Sequence, residues 1–158
     1  MANLTDTTIK SVIVTGSFDG GNITSSPCGV SGFKNNGGGN VTTFGNLEFN
    51  GIRTNVGGIG ISNNNSRFTV PYDGFYTIWY RDIGSSSNDT CITYVRKNGS
   101  NINSRAYGRG EEFNYPMTLC FTVEQLIAGD YIEFYHGTGT QFQSSVGDYV
   151  QFAIYRIG

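Results

Sequence analysis

His136 is the sole histidine of the 158-residue chain, so a histidine-ligated metal or a Ser-His-Asp relay would have to be assembled around one imidazole. Placed at the end of the apolar run YIEFYH, it reads as a structural or solvated side chain. The three cysteines, Cys28, Cys91 and Cys120, stand at unrelated spacings with no Cys-x-x-Cys pair. That arrangement predicts free, buried thiols instead of disulfides. Glu111 and Glu112 are adjacent, and neighbouring side chains on a strand point to opposite faces, so they make a poor carboxylate pair for acid–base hydrolysis. Oxygen-rich text at 82–89 and at Asp148 has the ligand type calcium takes but not the spacing of a dedicated calcium loop. The glycine-rich stretches GRGEEF and NNGGGN lack the following helix that a phosphate loop requires, and no Gly-x-Ser-x-Gly elbow is present. The expectation is therefore no catalytic residue, no metal centre and no cofactor, with calcium alone left open, in a protein that is not an enzyme.

Composition narrows the partners. Only 14% of residues are charged, against about 25% in an average domain, and the net charge is −2. The surface must then be covered by amides, hydroxyls and glycine backbone, which suits a chain packed against other proteins. No Lys/Arg run supplies a footprint for nucleic acid, and no apolar run approaches a membrane span. The opening residues MANLTDTTIK lack a basic start and an apolar core, so the expectation is a product made and kept in a cytoplasm, at least at first. A chain of this length folds as one domain with a sizeable core.

The elements that must carry any site are strands. The organising stretch is Arg67 to Asp82, RFTVPYDGFYTIWYRD, which predicts strand, two-residue turn and strand, since Pro71 lacks an N–H and Asp73-Gly74 tolerates a tight reversal. Phe75 to Tyr80 are apolar or aromatic at both parities, where a strand with one wet face would alternate; both faces of this strand call for cover. Thr7 to Thr15 reads as a first strand. Residues 16–40 read as a long irregular excursion, with Phe18, Ile23, Val30 and Phe33 scattered through Gly, Asn and Ser. Loops of that length usually bind something, and apolar residues argue against a mere linker. Further strands are expected within Val41 to Arg53, at Ile59–Ile61, Cys91–Lys97, Asn101–Arg105, Met117–Val123, Tyr131–His136 and Tyr149–Ile157. Asn98-Gly99 is the strongest hairpin signal. Tyr107 to Pro116 reads as an irregular connection and Glu124 to Ala128 as a single turn. In Tyr131–Tyr135, Ile132 and Phe134 take the core parity, and Tyr131 and Tyr135 take the other, where tyrosine favours interfaces.

Short strands at 8–12-residue spacing without helix leave a sandwich, a barrel or a jelly roll. The series RFTVPYDGFYTI, VRKNGSNI, LIAGDYIEFY and the terminal FAIYRIG resembles the C1q-type, tumour-necrosis-factor-like jelly-roll module over residues 41–158, with 1–40 as an extended N-terminal arm. The resemblance implies an all-β sandwich of about ten strands and a homotrimer with the last strand at its centre. Phe75, Trp79, Tyr131, Tyr135 and Tyr155 are the expected trimer interface. A small, charge-poor jelly roll with an arm is also similar to capsid decoration, or cement, proteins of tailed bacteriophages. The reading that follows is a virion protein on the capsid surface, partnered by the major capsid protein, with no nucleic-acid or membrane partner. Ile9, Val12, Val14, Phe18, Ile23 and Phe33 would be the capsid-binding arm. The alternative is a recognition module, either the receptor-binding tip of a phage fibre or a C1q-like carbohydrate or protein binder; a chain beginning at its own Met, without a shaft, favours the first reading.

Overall fold

The computed structural model of the chain describes residues 27–35, 44–83, 90–109 (backbone alone at 107–109), 117–139 and 149–157. Eleven strands run through them: β1 Gly29–Lys34, β2 Gly45–Asn46, β3 Gly51–Val56, β4 Gly60–Ser62, β5 Arg67–Thr69, β6 Gly74–Ile83, β7 Thr90–Lys97, β8 Ser100–Arg109, β9 Met117–Leu126, β10 Tyr131–Thr138 and β11 Val150–Arg156. No helix occurs among the described residues. The strands lie in the order β3-β1-β11-β6-β9-β8-β7-β10-β5-β4, with β2 added to β10, and the pairs are antiparallel.

The path folds over between β9 and β8, which pair at Tyr107 with Leu119. Two layers result: a front layer β3-β1-β11-β6-β9 and a back layer β8-β7-β10-β5-β4. Aromatic side chains close the space between them. Phe152 of β11 meets Phe68 of β5 at 4.4 Å between ring centroids and Phe49 at 4.3 Å, while Tyr80 of β6 stacks on Phe134 of β10 at 5.0 Å. Ile78, Ile132, Ile154 and Val95 fill the remaining volume and are fully buried.

The organising stretch is a crossing between layers and not a hairpin. β5 pairs with β10 and β4, whereas β6 pairs with β11 and β9. The cause lies in the partners of the corner. The Val70 N–H donates to the Asp130 carbonyl at 2.9 Å, the Gly129 N–H returns to the Val70 carbonyl at 2.9 Å, and Ala128 N–H donates to the Asp73 carboxylate at 2.7 Å. The 127–130 turn thus takes the hydrogen bonds a returning strand would have taken, and Pro71 has none to give. Asn98-Gly99 does form the expected hairpin, with φ of 52° and 79° between β7 and β8.

Three further expectations are corrected. Residues 29–34 are not irregular: β1 is paired on both sides, by β11 and by β3. Its glycines, which look like loop text, are there for close approach, since a Cβ on Gly29 would collide with the Tyr155 ring and one on Gly32 with the Phe152 ring and the Gly51 carbonyl. β9 runs on to Leu126 through the predicted turn, and the reversal comes at 127–130, where the Asp130 carboxylate accepts the Ile127 N–H at 3.0 Å. β8 extends to Arg109, into the predicted connection. The strand expected at Thr7–Thr15 and the charged pair Glu111-Glu112 lie outside the described residues.

Candidate functional site

β9 carries its alternation inside out. In MTLCFTVEQL the small residues Thr118 and Cys120 face the core, and Met117, Leu119, Phe121 and Val123 face outward, with Phe121 66% and Met117 60% exposed. Burial of apolar surface is the main drive to fold, and a strand that spends its large side chains on the open side needs a second body to cover them. The antiparallel register extends this stripe over two more strands. Phe121 stands across from Trp79 of β6, which stands across from Ala153 of β11; one step along, Val123, Thr77 and Tyr155 form the next row. Phe75, 51% exposed, ends the patch on β6. Among the outward positions of these three strands, Arg81 alone is charged. Tyr155 borders the patch with its polar tip satisfied: its hydroxyl lies 3.0 Å from the Thr54 hydroxyl, and the hydrogen bonds from Ser31 and Thr54 hold its pKa below the usual phenol value.

The back layer treats its outward tyrosines differently. On β10, Glu133 sits between Tyr131 and Tyr135 and is 2% exposed. The Arg67 guanidinium bonds its carboxylate at 3.0 Å and lies 3.9 Å from the Tyr131 ring centroid; Arg96 lies 3.4 Å from that of Tyr135. Each ring is roofed by a cation from a neighbouring strand, so this face is closed within the chain.

Of the five residues expected to share an interface, Phe75, Trp79 and Tyr155 fall on one face of the front layer, and Tyr131 and Tyr135 on the opposite side of the sandwich. Met117, Leu119, Phe121 and Val123 were absent from that set. Their signal was the alternation itself, which periodicity detects without saying which parity faces the core. Phe33, expected in the arm, is part of β1, half-buried, with the Arg53 guanidinium 5.1 Å from its ring. Ile9, Val12, Val14, Phe18 and Ile23 lie outside the described residues.

His136 is fully buried, so of the two expected settings the solvated one does not hold. Two other buried side chains, Asp82 and Cys91, bring donor atoms to within 4.8 Å of it and of each other, the only such group among the described residues. All three cysteines are free and buried. Burial pushes the Cys120 thiol up to about 11, which leaves it inert at neutral pH.

A two-layer antiparallel sandwich in this strand order is a tumour-necrosis-factor-like jelly roll, the fold that the sequence resemblance implied. Among solved structures, Eiger TNF from S. frugiperda superposes with a TM-score of 0.65 over 84% of this chain and 94% of that one, at 11% identity. Murine APRIL superposes with a TM-score of 0.60 over 83% of this chain and 99% of that one, at 12% identity. At such identities the likeness is one of fold. No protein-family model and no curated protein matches the sequence.

Proposed function

We propose that the chain is a non-enzymatic assembly module that forms a homotrimer through the outward face of β11, β6 and β9, and that the trimer decorates a virus capsid by binding its major capsid protein. The observation that carries the assembly step is the inverted β9, whose Phe121, Leu119 and Met117 are left exposed by the described residues. The occupant is another copy of the same chain, because the patch is aromatic with Arg81 as its one charged residue, self-associating surfaces being poor in charge, and the TNF-like fold offers the geometry for a closed ring. The capsid step is supported by a charge-poor surface and by the apolar residues Ile9, Val12, Val14, Phe18 and Ile23 ahead of β1. Phe33 belongs to the body, so the attachment segment ends before Gly29. Three such segments on one trimer would bind with a high effective concentration even if each contact is weak.

Deleting residues 1–26 tests this. The expected result is an intact trimer that no longer co-sediments with capsids; full occupancy by the shortened trimer would overturn the attachment role. The second reading, recognition of a carbohydrate or a receptor, is favoured by a polar recess of about 330 Å³ lined by Lys34, Glu48, Asn50, Asn64 and Asn65. Amides and charged groups converging on one recess suit hydroxyl-rich ligands. Binding of the full-length chain to host cells, lost in Asn64→Ala, would replace the capsid reading.

A further inference from the structure

We propose that Asp82, Cys91 and His136 bind a divalent metal ion of zinc type between the two layers of the sandwich. The three residues come from β6, β7 and β10, so the ion would join the front layer to the back layer. All three are 0% exposed, and their donor atoms lie within 4.8 Å of one another. The Cys91 Sγ is 3.8 Å from the Asp82 Oδ2. A tetrahedral ion with bonds of about 2.3 Å to sulfur and about 2.1 Å to oxygen holds those two atoms about 3.6 Å apart, so this edge of the site is already at its liganded length.

The imidazole is set for ligation. His136 Nε2 lies 2.9 Å from the Gly139 carbonyl, which can only accept, so that nitrogen carries the proton and Nδ1 carries the lone pair. Nδ1 is buried and has no hydrogen-bond partner among the described residues. A histidine that donates one ring N–H to a backbone carbonyl, keeps the other nitrogen buried and unpartnered, and shares a buried group with a thiol and a carboxylate has the outer-shell arrangement of a metal ligand. The Asp82 carboxylate is held in the same way: its Oδ1 accepts the Ile83 N–H at 2.6 Å, and its Oδ2 accepts the Tyr80 hydroxyl at 2.8 Å. A purely structural polar cluster would account for Asp82, Tyr80 and Cys91 but would leave the buried Nδ1 without a purpose.

The donor set selects the ion. One sulfur, one nitrogen and one oxygen suit a borderline ion and are wrong for calcium or magnesium, which take oxygen. On binding, the Cys91 S–H bond breaks, its proton leaves to solvent, and the thiolate forms the metal–sulfur bond. None of this was accessible from spacing, because residues 82, 91 and 136 meet only through the β6–β7 crossing and the β7–β10 pairing.

The test uses the full-length chain stripped with chelator and titrated with cobalt(II), then with zinc. The expected result is one cobalt per chain with a sulfur-to-cobalt charge-transfer band, and a melting temperature raised by zinc but not by magnesium or calcium. Cys91→Ser should remove the band, and His136→Ala should weaken binding by roughly tenfold or more. The wild-type titration stands whether or not the variants fold. A folded, stripped wild-type chain with no band and no zinc-dependent melting shift overturns the proposal, as does a band that survives Cys91→Ser.

Discussion

The outward faces of the two layers both carry aromatic rings on central strands, and they end in opposite states. On the back layer, Tyr131 and Tyr135 lie under Arg67 and Arg96, and the intervening Glu133 is buried by an ion pair. On the front layer, Phe75 and Phe121 lie open and Trp79 is half-buried between them, and β9 turns its large residues outward. Aromatic content on a strand therefore does not by itself mark an interface. What separates a finished surface from an unfinished one is whether cations on neighbouring strands reach over the rings; on the front layer the rows through Phe121, Trp79 and Ala153 and through Val123, Thr77 and Tyr155 hold no cation, and Arg81 stands in the next row, across from Leu119.

The comparison can be broken at several points. The largest effect is expected at the junction both layers share: Phe134→Ala should cost about 3–5 kcal/mol in denaturant unfolding, since its ring meets Tyr80, Phe49 and Phe152. A loss below about 1 kcal/mol would mean the layers do not close there. Next is Arg67→Ala, which strands the buried Glu133 carboxylate; a loss of about 2–3 kcal/mol is expected, below the full cost of breaking a buried pair because the Arg67 side chain is 33% exposed. Removal of a merely solvated arginine would cost almost nothing, and that result would refute the closed back face. Trp79→Ala should cost about 1–2 kcal/mol within a single chain, because the ring is half-buried there, and visibly more when unfolding is measured at concentrations that favour assembly. Equal losses at high and low concentration would remove Trp79 from the interface. Arg96→Ala, lifting the cation from Tyr135, should cost about 0.5–1 kcal/mol without changing the assembly state.

The last effect is read against pH and concerns Asp130, in the 127–130 turn between β9 and β10. Burial pushes its carboxyl up, but hydrogen bonds from Lys97, Asn98 and the Ile127 N–H outweigh burial and hold it at about 2, against an ordinary 3.8. Its folded pKa is depressed, so its contribution is complete above pH 3.8 and is lost as the pH falls toward 2. Acid titration of Asp130→Asn should show a shallower loss of stability across that window than the wild-type chain shows.

Much of the architecture was legible from residue order alone. β-branched and aromatic runs, the Asn98-Gly99 turn and the parity of Ile132 and Phe134 all led to strands that exist where they were read. Reading failed where one local pattern serves two ends. Pro71 and Asp73-Gly74 turn the chain equally well into a hairpin or across to the other layer, and the choice rests on Asp130 and Gly129, more than fifty residues away. The glycines of β1 look like loop residues, yet they leave room for Tyr155 and Phe152, a need visible only once β11 lies alongside. The open front face was half legible: Phe75 and Trp79 announced themselves by apolar character at both parities, whereas Phe121 and Leu119 sit in an ordinary alternation whose direction is a tertiary fact. The Asp82–Cys91–His136 group was not legible, since no two of its members share a local motif.

The central claim is that the open front face is covered by copies of the same chain. Light scattering of the full-length protein at micromolar concentration, beside a Phe121→Asp variant, tests it most directly. The account predicts a mass of three chains for the wild type and of one for the variant, with the variant's strand content unchanged by circular dichroism. A wild-type mass of one chain, or a Phe121→Asp variant that still sediments as a trimer, would contradict it.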